Sequence, residues 1–102
     1  MRITHATIQV VVALLDDKLD VHYGYDLGKR ARVRTGVLYP ILQRMLEEGW
    51  LEDHWEDTAA ARGRPPRRYY TVTDAGRREL LGMSAQAQRD DRFVGLVGLI
   101  GA

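Results

Sequence analysis

At 102 residues the chain has room for one domain, and with 45% hydrophobic residues it can close a modest core. It contains no cysteine, which excludes disulfides, thiolate catalysis, iron–sulfur clusters and cysteine-based zinc sites and fits a reducing cytoplasm. A formal net charge of +1 conceals a segregation: Lys29, Arg30, Arg32 and Arg34 in one stretch and Arg62, Arg64, Arg67 and Arg68 in another make up eight of the fifteen basic residues, and neither stretch contains an acid.

The opening residues Met1-Arg2-Ile3-Thr4-His5 form no clear cationic segment, and the apolar run after them ends at Asp16-Asp17 without a small-residue cleavage site, so no secretory signal is expected. Ile8, Val11, Val12 and Leu15 recur at the spacing of one helix face and predict a first helix over residues 4–16. Asp16, Asp17 and Asp20 mark a turn. A short second helix follows at about 23–31 on Tyr23, Leu27 and Ala31, weakened by Gly24 and Gly28 and dependent on tertiary packing. Val37, Leu38, Ile41, Leu42, Met45 and Leu46 give a third helix, about 35–48, a broad apolar face that ends at Gly49, with Pro40 expected to fall in its first turns at little cost.

Residues 50–56 then read as a strand, and residues 57–66 as a long loop with a basic tip. A second strand follows at 67–72, with Arg68, Tyr70 and Val72 on one face. Thr73-Asp74 can cap a last helix running to about residue 91, with Leu80, Met83 and Ala87 on one side. The apolar segment from Phe93 to Ala102 is ten residues long. A bilayer-spanning helix needs about 20, so no membrane span is expected.

Helix, helix, turn, helix, hairpin, helix is the order of a winged helix-turn-helix. The expected fold class is therefore mainly α (α+β), with a two-stranded β-hairpin wing and a C-terminal dimerisation helix. Residues 1–75 would form the DNA-binding domain, and residues 76–102 the dimerisation helix and apolar tail. Both acid-free stretches coincide with the places that meet DNA phosphates in such a fold, the turn before the third helix and the hairpin tip. Glu47, Glu48, Glu52, Asp53, Glu56 and Asp57 lie between them, so a nearly neutral chain could fold with one basic and one acidic surface.

Each candidate DNA contact has a physical task and a competing structural one. Arg34 and the amides near Thr35 and Gly36 suit a phosphate at a helix N-terminus. Tyr39, Gln43 and Arg44 project from the polar face of the third helix, where Gln can read adenine and Arg guanine. Equally, Tyr39 could pack against the hairpin, Arg44 could pair with Glu47 or Glu48, and Lys29 and Arg30 could serve as the basic last turn of their own helix. At the hairpin tip Arg62-Gly63-Arg64 offers two guanidiniums around a pivot, stiffened by Pro65-Pro66 and followed by Arg67, a geometry suited to a minor groove or to a solvated loop.

The strings Tyr23-Gly24-Tyr25-Asp26-Leu27, Gly36-Val37-Leu38-Tyr39-Pro40-Ile41-Leu42, Glu48-Gly49-Trp50-Leu51 and Arg62-Gly63-Arg64-Pro65-Pro66-Arg67-Arg68-Tyr69-Tyr70-Thr71-Val72-Thr73-Asp74-Ala75-Gly76 together resemble the PadR family of bacterial transcriptional regulators, over roughly residues 5–80. The resemblance implies a dimeric repressor whose third helix and wing contact an inverted-repeat operator, with the last helix forming the dimer contact. Where many relatives carry Ser and Thr around the start of the third helix, this chain has Arg34 and Val37, so the operator is expected to differ; Val37 could touch a thymine methyl or pack into the core, its more ordinary role. The chain resembles the short members that lack a long C-terminal coiled coil. Some relatives sense planar aromatic compounds between protomers, but the last helix here has neither Trp nor Tyr to stack on one, so no effector is identified.

Independently of the family, a small winged core leaves little surface to cover the C-terminal apolar residues, and a twofold partner is the commonest cover. The expected contact comprises Ile8, Val12, Leu80, Met83, Ala87, Phe93, Val94 and Val97, with Leu96, Leu99 and Ile100 also apolar. An enzyme is not expected, since His5, His22 and His54 stand singly, without metal-ligand spacing or a Gly-rich phosphate loop, and no cofactor or metal is called for. The rival from another class is a winged helix used only for protein–protein contact, with Trp50 and Trp55 as anchors. The clustered basic residues favour double-stranded DNA.

Overall fold

The computed structural model describes residues 1–93 and residue 95. Thr4 starts α1 (His5–Leu14) by accepting the Thr7 amide on its side-chain oxygen, the role that favours hydroxyl residues before a helix. The chain then reaches a two-residue strand, β1 (His22–Tyr23), which leads into α2 (Gly24–Ala31). Arg32 ends α2 in the left-handed region (φ 58°), and α3 (Thr35–Glu47) follows after a short turn. Gly49, also left-handed (φ 75°), lets the Trp50 amide return to the Met45 carbonyl at 2.9 Å, which closes α3 and aims the chain into β2 (Leu51–Trp55).

The hairpin crosses through one helical turn, α4 (Thr58–Ala61), before β3 (Arg68–Val72). The fifth helix, α5 (Asp74–Gln88), is capped by Thr73, and a 3₁₀ turn (Asp91–Phe93) follows it. The sheet order is β1-β3-β2, antiparallel throughout, with Leu51 opposite Val72 and Tyr23 opposite Tyr69. The winged helix-turn-helix expected from the sequence is thus present, with a third strand added to its hairpin. On one rung the rings of Tyr23, Tyr69 and His54 stand 5.6 and 5.1 Å apart across the three strands, and the His54 ring also reaches the Thr71 hydroxyl at 2.9 Å.

The core sits where α1, α2, α3 and α5 meet the sheet, with Val10, Val11, Leu27, Leu38, Leu42, Met45, Tyr70 and Leu80 fully buried. From α3 it takes Leu38, Leu42 and Met45, one face at spacings of four and three. Val37, one residue or about 100° round from Leu38, is 47% exposed, so the expectation that it packs into the core is corrected. Pro40 is the sixth residue of α3, beyond the four N–H groups that lack helical partners, so α3 does forgo a bond there. The acceptor it leaves without an amide is the carbonyl of Gly36, an exposed residue.

A second cluster gathers Ile8, Ala87 and Phe93 with Val12 at its edge, and the Phe93 ring lies 5.2 Å from that of His5. Of the residues expected to carry the dimer contact, Ile8, Leu80, Ala87 and Phe93 are therefore covered by the chain itself, and Val12 and Met83 are half-buried. The 3₁₀ turn folds Phe93 back over α1 and α5, against Ile8 and Ala87. Val94 and Val97, like Leu96, Leu99 and Ile100, lie outside the described residues.

Candidate nucleic-acid interface

Arg34 opens α3 as its N-cap residue without using its side chain as a cap, so the N-terminal amides of α3 beside Thr35 and Gly36 keep their capacity for an outside acceptor. Thr35, Gly36, Tyr39, Gln43 and Arg44 are all exposed. Among the described residues, Arg32, Arg34 and Arg62 have no carboxylate within 4.0 Å, and the side chains of Thr35 and Gln43 make no hydrogen bond. Arg44 is 3.4 Å from Glu48 on the same helix face, the pairing foreseen for it. An exposed pair of this kind contributes about 0.3–0.5 kcal/mol and yields readily to a better acceptor.

Tyr39 neither packs flat on the hairpin nor stands free in solvent. It is 41% exposed, and its hydroxyl end lies over Gly24 so closely that a Cβ there would be 2.4 Å from Tyr39 Oη. The absence of a side chain at Gly24 thus seats Tyr39 in a groove shared with Tyr23, Tyr25, Arg67 and Arg68, which ties the middle of α3 to the base of the wing.

At the wing tip Arg62 (φ 49°) and Gly63 (φ 85°) are left-handed in succession. Arg32 and Arg62 are the two non-glycine residues with positive φ among those described, and each stands in one of the two basic stretches. A side chain in that region costs about 1–2 kcal/mol. Strain of this kind gathers at functional turns. Arg32 counted only as charge in the sequence, and its left-handed cap geometry is what distinguishes it.

The other three wing arginines are differently placed: Arg68 donates to Asp53 Oδ2 at 2.7 Å, while Arg64 and Arg67 converge on a second carboxylate. Arg64 donates from its terminal nitrogens to Glu56 Oε1 (2.6 Å) and Oε2 (3.2 Å), and Arg67 reaches the same carboxylate with its backbone amide (2.8 Å) and its guanidinium (3.3 Å). The Tyr23 hydroxyl donates to Glu56 Oε2 at 3.3 Å, while the Arg67 guanidinium stacks 4.3 Å above the Tyr23 ring. These donors, led by Arg64, hold the Glu56 carboxyl well below the usual carboxylate range, and Glu56 raises the Arg64 guanidinium in turn. Sequence reasoning counted both stretches as free of acid, yet the hairpin brings in Glu56 from eight and eleven positions away. The signal available was its place at the end of β2, opposite the returning strand.

Arg30 likewise faces inward: it donates to the Ala13 carbonyl at 3.0 Å and bonds His22 Nδ1 at 2.9 Å. Arginine only donates, so Nδ1 accepts and the buried His22 ring carries its proton on Nε2. Lys29 lies 5.3 Å from the Tyr25 ring centre. Of the aromatics proposed as protein anchors, Trp50 is half-buried and Trp55 is 66% exposed on β2. Among the described residues there is no group of three His, Cys, Asp or Glu that could hold a metal, and no helix long and apolar enough to cross a membrane.

The sequence model of the transcriptional regulator PadR-like family matches residues 11–81. Among solved structures, a PadR family transcriptional regulator from Eggerthella lenta shares 30% identity over 87% of this chain and 81% of its own, with a TM-score of 0.63. A PadR-like transcription factor from Bacteroides fragilis shares 27% over 89% of each chain, with a TM-score of 0.61. A PadR family transcription regulator from Clostridium difficile shares 23% over 85% of this chain and 92% of its own, with a TM-score of 0.63. No curated protein matches by sequence. With 71 consecutive residues fitting the family model, and a basic helix start beside a basic wing in the same fold, the chain belongs to the PadR-like family of transcriptional regulators.

Proposed function

We propose that the protein regulates transcription by binding double-stranded DNA as a homodimer, most simply as a repressor on an inverted-repeat operator. One observation carries this reading: Arg32 at the end of α2, Arg34 at the start of α3 and Arg62 at the wing tip lack carboxylate partners among the described residues, and two of the three sit in left-handed turns. In this reading α3 enters the major groove, where Tyr39, Gln43 and Arg44 read base edges and the exposed Val37 meets a thymine methyl. Arg34, Thr35 and Gly36 grip a phosphate at the start of α3, and Arg62 and Gly63 grip the flanking backbone. A second copy, joined through residues 76–102 and the half-buried Val12 and Met83, spaces two such readers about 34–36 Å apart, one turn of DNA.

Fluorescence anisotropy with duplex DNA from the chain's own promoter region tests the reading. The affinity is expected to fall steeply with salt, and Arg62→Ala or Arg34→Ala to weaken binding to all sequences while removing ~0.9 from the slope of log K against log salt. Gln43→Ala is expected to cost about 1–3 kcal/mol on the preferred sequence and little on others. Salt-independent binding, or none at low salt, rejects DNA binding. A protein partner anchored on Trp55 is then the reading to pursue, since that ring is the most exposed tryptophan.

A further inference from the structure

Glu56 stands out because it is an acid at the centre of the wing's basic cluster. Its side chain is only 9% exposed, and its two oxygens receive the Arg64 guanidinium, the Arg67 amide and guanidinium, and the Tyr23 hydroxyl. Geometrically it occupies the place a phosphate would take: a doubly charged, forked donor set closed around two oxygens. The pivot residues Arg62 and Gly63 lie outside this cluster, and the Arg62 side chain has no hydrogen-bonding partner among the described residues.

Building on the DNA-binding reading, we propose that Glu56 is a positioning residue that holds Arg64 and Arg67 away from the DNA backbone and leaves Arg62 as the wing's gripping cation. Three considerations support it. An arginine fixed on a carboxylate by two hydrogen bonds must give up or share them to bind a phosphate, so the gain on binding is a difference between two similar contacts. The Arg67 guanidinium is also held from below by Tyr23, and its backbone amide and carbonyl join Glu56 by two further bonds of 2.8 and 2.9 Å, so its side chain starts from a fixed root. Finally, non-specific affinity comes almost entirely from cations on phosphates, so a wing with one free cation discriminates between sequences better than a wing with three.

The test compares salt slopes for the full-length protein on its promoter duplex and on an unrelated duplex of equal length. Glu56→Gln, which keeps the shape of the side chain, should steepen the slope by ~0.9 for each guanidinium released, up to ~1.8, and should tighten binding to the unrelated duplex more than to the promoter. Arg64→Gln in the wild-type background should leave the slope nearly unchanged, but in the Glu56→Gln background it should remove ~0.9 of the gain. Glu52→Gln removes the same charge from an exposed position on β2 without an ion pair among the described residues, and should change the slope much less.

An equal response to Glu52→Gln would show that only net charge matters and would overturn the proposal. So would a fall of ~0.9 in the slope on Arg64→Gln alone, which would put Arg64 on the DNA already. If Glu56→Gln melts cooperatively near the wild-type temperature yet binds more weakly at an unchanged slope, Glu56 merely builds the hairpin. Should Glu56→Gln fail to fold, the Arg64→Gln slope alone still decides. Wild-type protein that shows no salt-dependent binding defeats the DNA-binding reading instead, a different outcome from any of these.

Discussion

Gly76 offers the sharpest test of how the fold is locked, because two glycines of the same helix should respond to alanine with opposite sign. A Cβ at Gly76 would lie 2.0 Å from the carbonyl oxygen of Trp50, 2.6 Å from its carbonyl carbon and 2.7 Å from its Cα, all backbone atoms that no side-chain rotation can clear. The same contact point carries the Thr73 amide to Trp50 O (3.0 Å) and the Thr73 hydroxyl to Gly49 O (2.7 Å), which together fasten the start of α5 to the start of β2. Alanine would gain about 1 kcal/mol of helix propensity. Against this, forcing α5 away costs about 1–3 kcal/mol in overpacking, and each Thr73 bond broken costs about 0.5–1.5 kcal/mol. With both Thr73 bonds broken the balance is a loss of about 1–5 kcal/mol, centred on about 3 kcal/mol. At about 4–8 °C per kcal/mol, a loss of about 3 kcal/mol lowers the melting temperature by roughly 12–24 °C. Gly82, further along α5, has no atom within 4 Å of its would-be Cβ, so Gly82→Ala should raise stability by about 0.5–1 kcal/mol. Urea unfolding of the two variants followed by circular dichroism measures both. A Gly76→Ala protein as stable as wild type would refute the claimed close approach of α5 to Trp50.

At Gly24 the obstructing atom is the end of a side chain, so Gly24→Ala should displace Tyr39 at small cost in stability and alter which DNA sequence is preferred; selection from a randomised duplex pool, compared with wild type, checks it. The His22 imidazole is held below its ordinary range first by burial and then by the Arg30 charge, with Asp16 opposing weakly. A base whose folded pKa is lowered stabilises the fold while neutral, so this contribution is complete above about pH 6.5 and is lost as the pH falls below it. Urea midpoints at pH 7.5 and 5.5 should therefore drop further for the wild type than for His22→Gln. Glu56 is held low as well, but its linked loss of stability begins only in the acid range of ordinary carboxylates, so the two effects separate by pH.

Long periodic segments were legible in the sequence and short paired ones were not. The apolar spacing over residues 35–48 predicts α3 to within a residue of Thr35–Glu47, and Thr73-Asp74 marks the start of α5. β1 has only His22 and Tyr23, too few for an alternation, and it exists because β3 offers it a partner. Four-residue α4 lies below the length at which a helix holds itself, and it depends on the Asp57 cap and the burial of Ala61. The candidate site divides the same way. The exposed α3 residues and the basic wing follow from position along one helix and one loop, whereas the Glu56 cluster and the seat of Tyr39 on Gly24 depend on which strands lie side by side. For a related reason, nothing in one-dimensional spacing tells that Phe93, past the end of α5, turns back over Ile8.

In the proposed reading, the third strand also keeps base reading and backbone grip in register. β1 ends at Tyr23, whose ring carries Arg67 and whose hydroxyl reaches Glu56, and the next residue, Gly24, is the floor on which Tyr39 of α3 rests. Two adjacent residues thus touch the wing on one side and the exposed face of α3 on the other. A tilt of the hairpin moves β3, and with it β1 through the Tyr23–Tyr69 and His22–Tyr70 pairs, so α3 and the wing shift together. His22, buried behind this joint, is fixed by Arg30, which is fixed in turn by the last turn of α1 at Ala13. In the proposed reading, the distance from the α3 reading face to Arg62 is set by a chain of contacts between side chains and strands. Within residues 57–66, which the sequence suggested as a long loop, the Asp57-capped turn of α4 carries that chain of contacts on to Arg62.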